Sequence, residues 1–241
     1  MCFSVSTEIL AYEKQRMFFE RIDAHIREFD RENGFVPYFY VSGFAHPKIP
    51  VITSQDPDKV QMYQWGLIPA WVRNREQANE IWTKTLNAKS ETIFEKPSFK
   101  LSIFKKRCII LVTGFFEWQT VNKEKIPWFI YPANEGYFAM GGIYEQWVDR
   151  DTGELYNTFA LVTTPANDLM SKIHNDKMRM PLILPKEAEN DWLNPHLSKP
   201  EIEHLMLPCN NELMQAHTIS KRLTSRTQPT NVKEVQEPFT Y

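Results

Sequence analysis

The chain is poor in the features that mark several protein classes. It has only three cysteines, Cys2, Cys108 and Cys209, an odd number with neither paired nor metal-type spacing, which argues against a disulfide framework and a zinc site. A reducing cytoplasm is the expected setting. It lacks an excess of either charge: 28 basic and 30 acidic side chains leave a formal net charge of −2. The chain is therefore no general polyanion binder, and any nucleic-acid contact has to come from a local patch. No apolar run approaches the roughly 20 residues of a membrane span, and no basic-then-apolar segment opens the chain, so neither a membrane nor a leader is expected. Linkers and internal repeats are missing too. At 241 residues and 42% hydrophobic content, one core suffices, and a single domain over 1–241 is expected.

What the chain does have begins at its second residue. Removal of Met1 would leave Cys2 with a free amine and a thiol on one carbon skeleton. A 1,2-aminothiol condenses with an aldehyde to an imine, and the thiol then closes on the imine carbon as a thiazolidine; the amine can also serve as nucleophile or base in hydrolysis. Any chain can carry Cys at this position, so the signal depends on its company. That company is three blocks: Asn87-Ala88-Lys89-Ser90-Glu91-Thr92, Gly114-Phe115-Phe116-Glu117-Trp118, and Ile173-His174 followed by Arg179-Met180-Pro181.

Each block carries a plausible chemical group beside a plain alternative. Glu117 lies between two aromatic residues, where desolvation raises a carboxyl pKa toward the general acid/base range; the alternative is a strand residue facing water. His174, with an ordinary pKa near 6.5, can exchange protons at neutral pH, or simply end a turn. Asn87 can orient an amine or hemiaminal oxygen without competing for protons, and it also reads as a helix cap for the segment after it. Trp71, beside Pro69, could stack on a base. Two stretches are basic: residues 213–233 contain no Asp or Glu and carry Lys221, Arg222, Arg226 and Lys233, and Lys100, Lys105, Lys106 and Arg107 form a second cluster. Either could be a solvated face.

In this order behind Met-Cys, the blocks resemble the SRAP (SOS response-associated peptidase) family over nearly the whole chain, with supporting matches at Trp65-Gly66, Leu161-Val162-Thr163 and Ser220-Lys221-Arg222. The resemblance implies a sensor and shield of abasic sites in single-stranded DNA. Cys2 would form a thiazolidine crosslink with the ring-opened sugar, Asn87, Glu117 and His174 would guide geometry and protons, and Lys89, Trp71, Thr163, Ser220, Lys221 and Arg222 would contact DNA. It implies no cofactor, no metal, and a cytoplasmic monomer. Three departures stand out. Phe3 and Ser4 replace the family's usual Gly-Arg and remove a phosphate-binding Arg, Lys89 stands where many relatives carry Arg and so loses bidentate geometry, and Asn175-Asp176-Lys177-Met178 intervenes between His174 and Arg179. The segment 41–47 matches the family's pattern too loosely to carry over a DNA wedge. Two other readings stay open: a thiol peptidase with Cys2 as nucleophile, and a noncatalytic single-strand binding module.

Patterning predicts an α+β fold with a mainly antiparallel or mixed β-sheet core and flanking helices, the SRAP fold by resemblance. Helical spacing of Phe18, Ile22, Ile26 and Phe29 predicts a helix from about Thr7 to Glu32. Strands are predicted over Val60–Ile68, Arg107–Trp118, Pro127–Tyr131, Tyr137–Val148 and Tyr156–Thr164, with short helices at Pro165–Ile173 and from Ser198 to Met206.

Overall fold

Thr113 divides what the sequence reads as one strand into two that enter different sheets: β6 (Arg107–Val112) and β7 (Gly114–Val121). Glycine is required just past that break, because a Cβ on Gly114 would collide with the Phe129 ring. The structure, a computed structural model, describes residues 2–8, 37–134 and 136–241. The predicted helix from Thr7 to Glu32 falls mostly outside these residues, and its first residue belongs to a strand, β1 (Ser4–Thr7).

One sheet has the order β13-β8-β7-β1-β2, with β2 at Tyr38–Ser42, β8 at Glu124–Pro132 and β13 at Met214–Thr218. The other is built on β3 (Lys48–Thr53), β4 (Val60–Trp65), β6, β9 (Phe138–Val148) and β10 (Leu155–Pro165). These five pair in a closed circuit, β10-β4-β3-β6-β9 and back to β10, antiparallel everywhere except between β4 and β10. Closure removes the unpaired edges that an open sheet exposes. Three short strands attach outside the circuit: β5 (Asn87–Lys89) runs parallel to β10, β11 (Arg179–Pro181) pairs with β10, and β12 (Ile183–Leu184) pairs with β9.

Helices are few and short, so the α+β class holds with sheet dominating. The longest described, α1 (Arg75–Trp82), is capped by the Asn74 side chain, which accepts from Gln77 N at 2.9 Å. It is followed by α2 (Ser102–Lys105), α3 (Asp168–Ile173), α4 (Glu189–Leu193) and α5 (Lys199–Leu205). The predicted cap at Ser198 is present as a reciprocal box with Glu201. Among the described helices, none is long and apolar enough to cross a membrane.

Arg107 corrects the reading of a basic surface cluster. It is fully buried, donating from Nε to Trp192 O at 2.7 Å, from a terminal nitrogen to Ile103 O and Phe104 O at 2.7 and 2.8 Å, and from the other to Asn194 O. Its neighbour Lys106 pairs with the buried carboxylate of Glu145. Only Lys100 and Lys105 of that cluster face solvent without such a tie among the described residues.

Candidate active site

Four chain segments converge where β1 meets β7 and the end of β10. Cys2 lies just before β1 and is fully buried. The β1–β7 pairing sets Val5 opposite Phe115. Since the strands are antiparallel, stepping back toward Cys2 on β1 means stepping forward toward Glu117 on β7. Burial first, and Glu117 second once its carboxyl is ionised, push the Cys2 thiol well above the ordinary thiol range.

Asn87 arrives from β5, opposite Leu161 of β10. The expectation of a helix cap is corrected: Asn87 is a strand residue, and its Nδ2 donates to Cys2 O at 2.9 Å across 85 positions of sequence. Its buried Oδ1 has no hydrogen-bond partner among the described residues. A buried amide oxygen in that position is a ready acceptor for an N–H or O–H group entering the site.

His174 ends α3, with φ −93° and ψ 51°. Its Nδ1 lies 3.0 Å from Arg179 O and 3.5 Å from Glu117 Oε1. A carbonyl can only accept, so Nδ1 carries the proton in the neutral ring and Nε2 is the acceptor nitrogen. Burial lowers His174 to about 4; the positive N-terminal amine and Lys177 act in the same direction, and the Arg179 carbonyl opposes them. Burial raises Glu117 to about 8, partly offset by the N-terminal amine and Lys177. Both side chains are therefore neutral at pH 7. Their contact through the protonated Nδ1 is therefore not an ion pair, and it sets a carboxylic acid able to release a proton beside an imidazole whose accepting nitrogen is Nε2.

Beside this centre, Arg179 donates to Thr163 O at 2.6 Å and Thr163 Oγ1 at 3.0 Å, and pairs with Glu91. Thr163 is fully buried under that guanidinium, so its hydroxyl reaches the site's surroundings through Arg179. A groove of about 750 Å³ opens next to Asn87, and Trp71, Lys84, Lys89 and Lys96 line it. Trp71 is 44% exposed and donates from Nε1 to Pro97 O at 3.2 Å, which fixes the indole while leaving much of it open. The structure thus brings Cys2, Asn87, Glu117 and His174 together and sets Trp71 and Lys89 on one groove beside them. Ser220, Lys221 and Arg222 make other contacts: Ser220 caps a 3-10 turn, Lys221 pairs with Glu124 at 3.2 Å, and Arg222 donates to Pro229 O at 3.1 Å. Sequence reasoning did not single out Lys84, Lys96, Glu91 or Arg179 as site residues. The Arg179-Met180-Pro181 block was a signal for the last of these. Among the described residues, no group of three or more His, Cys, Asp or Glu side chains could hold a metal ion.

Comparisons with known proteins place the chain in a family. The family model described as SOS response associated peptidase (SRAP) matches residues 1–226. The chain is 34% identical over 218 residues to the "Abasic site processing protein YoqW" of Bacillus subtilis (strain 168), covering 86% of this chain and 92% of that one. It is 35% identical over 150 residues to the "Abasic site processing protein HMCES" of Xenopus tropicalis, covering 54% of this chain and 44% of the relative. The crystal structure of a protein from Bacteroides thetaiotaomicron superposes with a TM-score of 0.85 at 40% identity, over 99% of this chain and 100% of the other. With a family model spanning nearly its whole length and relatives and structures similar throughout, this chain belongs to the SRAP family.

Proposed function

We propose that this protein processes abasic sites in single-stranded DNA by forming a covalent crosslink through Cys2. Once Met1 is removed, the Cys2 amine attacks the C1′ aldehyde of the ring-opened sugar, and the carbinolamine loses one water to give an imine. The Cys2 sulfur then adds to the imine carbon, and its proton passes to the nitrogen, closing a thiazolidine. Glu117, protonated at neutral pH, supplies the proton for water loss, while His174 accepts and returns protons as the sugar opens. Asn87 holds the Cys2 backbone and offers Oδ1 to the amine or hemiaminal.

The observation that carries this reading is the convergence of Cys2, Asn87 and the neutral Glu117–His174 pair from four separate segments beside a groove bearing Trp71 and three lysines. The groove suits a single strand: lysines meet phosphates without reading bases, and an exposed indole stacks on any base. The reading takes the chain as one domain acting as a monomer in the cytoplasm. The buried thiol weighs against a thiol peptidase, whose nucleophile is activated by a lowered pKa, whereas burial here moves Cys2 the other way.

The test is a denaturing gel of the protein mixed with single-stranded DNA carrying one abasic site. Wild type is expected to give a heat-stable shifted band, and Cys2→Ala to give none while still binding the same DNA in a native gel. A Cys2→Ala band appearing at the wild-type rate would sink the mechanism.

A further inference from the structure

Four residues separate His174 from Arg179, and the structure shows what they do. The Asn175 side chain treats Thr120 as a strand partner: Thr120 N donates to Asn175 Oδ1 at 2.9 Å, and Asn175 Nδ2 donates to Thr120 O at 2.9 Å. Thr120 lies on β7, three residues beyond Glu117. Both of its backbone groups point away from β8, toward the edge that β1 covers only as far as Phe115. One amide therefore satisfies a donor and an acceptor that would otherwise sit on an open strand edge.

A second tie holds the other side of His174. Gln119, also on β7, donates from Nε2 to Lys172 O at 3.0 Å, and its Oε1 accepts from Trp128 Nε1 at 3.2 Å, which fixes the amide's orientation. Residues 172 and 175 are thus both fastened to β7 two and three positions past Glu117. The loop's remaining stretch is braced independently. Asp176 accepts from Thr120 Oγ1 at 2.8 Å and pairs with Lys125 of β8, and Met178 N donates to His174 O at 2.8 Å with Met178 at φ 48°.

We infer that Asn175 and Gln119 are positioning residues that hold His174 in register with Glu117, because they tie the chain on both sides of the imidazole to the strand that carries the carboxyl group. Neither touches the Cys2 thiol in any contact the structure shows. The proton roles proposed for Glu117 and His174 need both groups set around the same sugar, and a misplacement of about 1 Å can cost on the order of 100-fold in rate. The two ties bear on a contact of 3.5 Å. The inference rests on the proposed proton roles of Glu117 and His174 for its kinetic consequence, but its structural content does not depend on them.

The test uses Asn175→Ala and Gln119→Ala in the full chain with two readouts. The first is the rate of adduct formation on abasic single-stranded DNA against pH, beside noncovalent binding of the same strand. The second is the NMR titration of the His174 ring, which needs no activity. The groups that bear on that ring are Glu117 on β7 and the Arg179 carbonyl by contact, and Asp176, Lys177 and the N-terminal charge electrostatically. Asn175→Ala is expected to slow adduct formation about 10-fold or more with binding changed less than about 2-fold. It should also move the His174 midpoint up toward its ordinary 6.5 as the loop loosens and water enters. Asn175→Asp, which keeps the acceptor for Thr120 N, should fall between wild type and Ala. If both alanine variants keep the wild-type His174 titration and pH profile, the inference is overturned, whatever happens to the melting temperature. Should Asn175→Ala fail to fold, Gln119→Ala decides by the same readouts. If wild type forms no adduct, the proposed function fails, and the His174 titration still judges the clamp.

Discussion

Two buried polar centres, on the consecutive strands β6 and β7, have opposite designs. At Arg107 a guanidinium with no accessible surface is surrounded by four carbonyl acceptors, from Ile103, Phe104, Trp192 and Asn194. Burial lowers it only to about 10, so it stays charged at neutral pH, and each of its three nitrogens has a carbonyl partner. At Glu117 and His174, 4% and 7% exposed, burial instead drives both groups to their neutral forms, and the adjacent Asn87 keeps an amide oxygen without a partner among the described residues. A buried charge whose hydrogen bonds are complete is a structural tie between segments. A buried pair held neutral near pH 7, beside an unmet acceptor, has capacity left for chemistry.

The comparison breaks most visibly at Arg107. Arg107→Met leaves four carbonyls without their donor, and we expect a loss of roughly 3 to 5 kcal/mol in urea unfolding, with adduct formation per folded molecule unchanged. Little loss of stability, or a selective loss of activity, would place Arg107 with the site after all. Glu117→Gln should behave in the opposite way: adduct formation falls on the order of 100-fold or more, the usual scale for a general acid, while the melting temperature at pH 7 holds or rises. Trp71→Ala sharpens the groove's part. Single-strand affinity should weaken by about 1 to 3 kcal/mol in a fluorescence titration, equally for strands with and without an abasic site.

The smallest effect is a dependence of stability on pH. Glu117 has a folded value near 8 against an ordinary 4.5, so the folded state binds more protons across that interval and loses stability as pH rises through it. His174, near 4 folded against 6.5, acts in reverse, gaining stability as pH rises from about 4 to 6.5. The two oppose each other below pH 6.5, and only the Glu117 effect remains above it. Wild type should therefore lose on the order of 1 kcal/mol between pH 6.5 and 8 relative to Glu117→Gln, read from parallel urea titrations. Parallel curves for the two proteins across that window would mean that Glu117 is ionised in the folded state.

Cys2, Glu117 and His174 were singled out through the blocks that resemble the SRAP family, a cysteine beside the initiator, an acid between aromatic residues and a histidine ahead of Arg-Met-Pro, because each taken alone reads as an ordinary surface or strand residue. The strands β8, β9 and β10 were legible from their aromatic and branched content, bounded by turns. The helix-cap alternative for Asn87 failed because a three-residue strand has no pattern of its own; its pairing with β10 makes it one. The break at Thr113 was hidden inside an apolar run, and the reason for the glycine after it, the Phe129 ring against Gly114, lies on another strand. Arg107 was grouped with its lysine neighbours because sequence shows charge but not the carbonyls of Trp192 and Asn194, 85 and 87 residues away. The ties from Gln119 and Thr120 to the His174 loop span more than 50 residues and leave no local trace.

The central claim is that the Cys2 aminothiol captures an aldehyde, and intact-mass spectrometry of protein incubated with abasic single-stranded DNA, without reductant, tests it most directly. The account predicts a species equal to protein lacking Met1 plus DNA minus one water, stable to heat, with the Cys2 thiol no longer open to alkylation. A protein with Met1 removed that gives no such species, or one whose Cys2 thiol still alkylates fully, would contradict it.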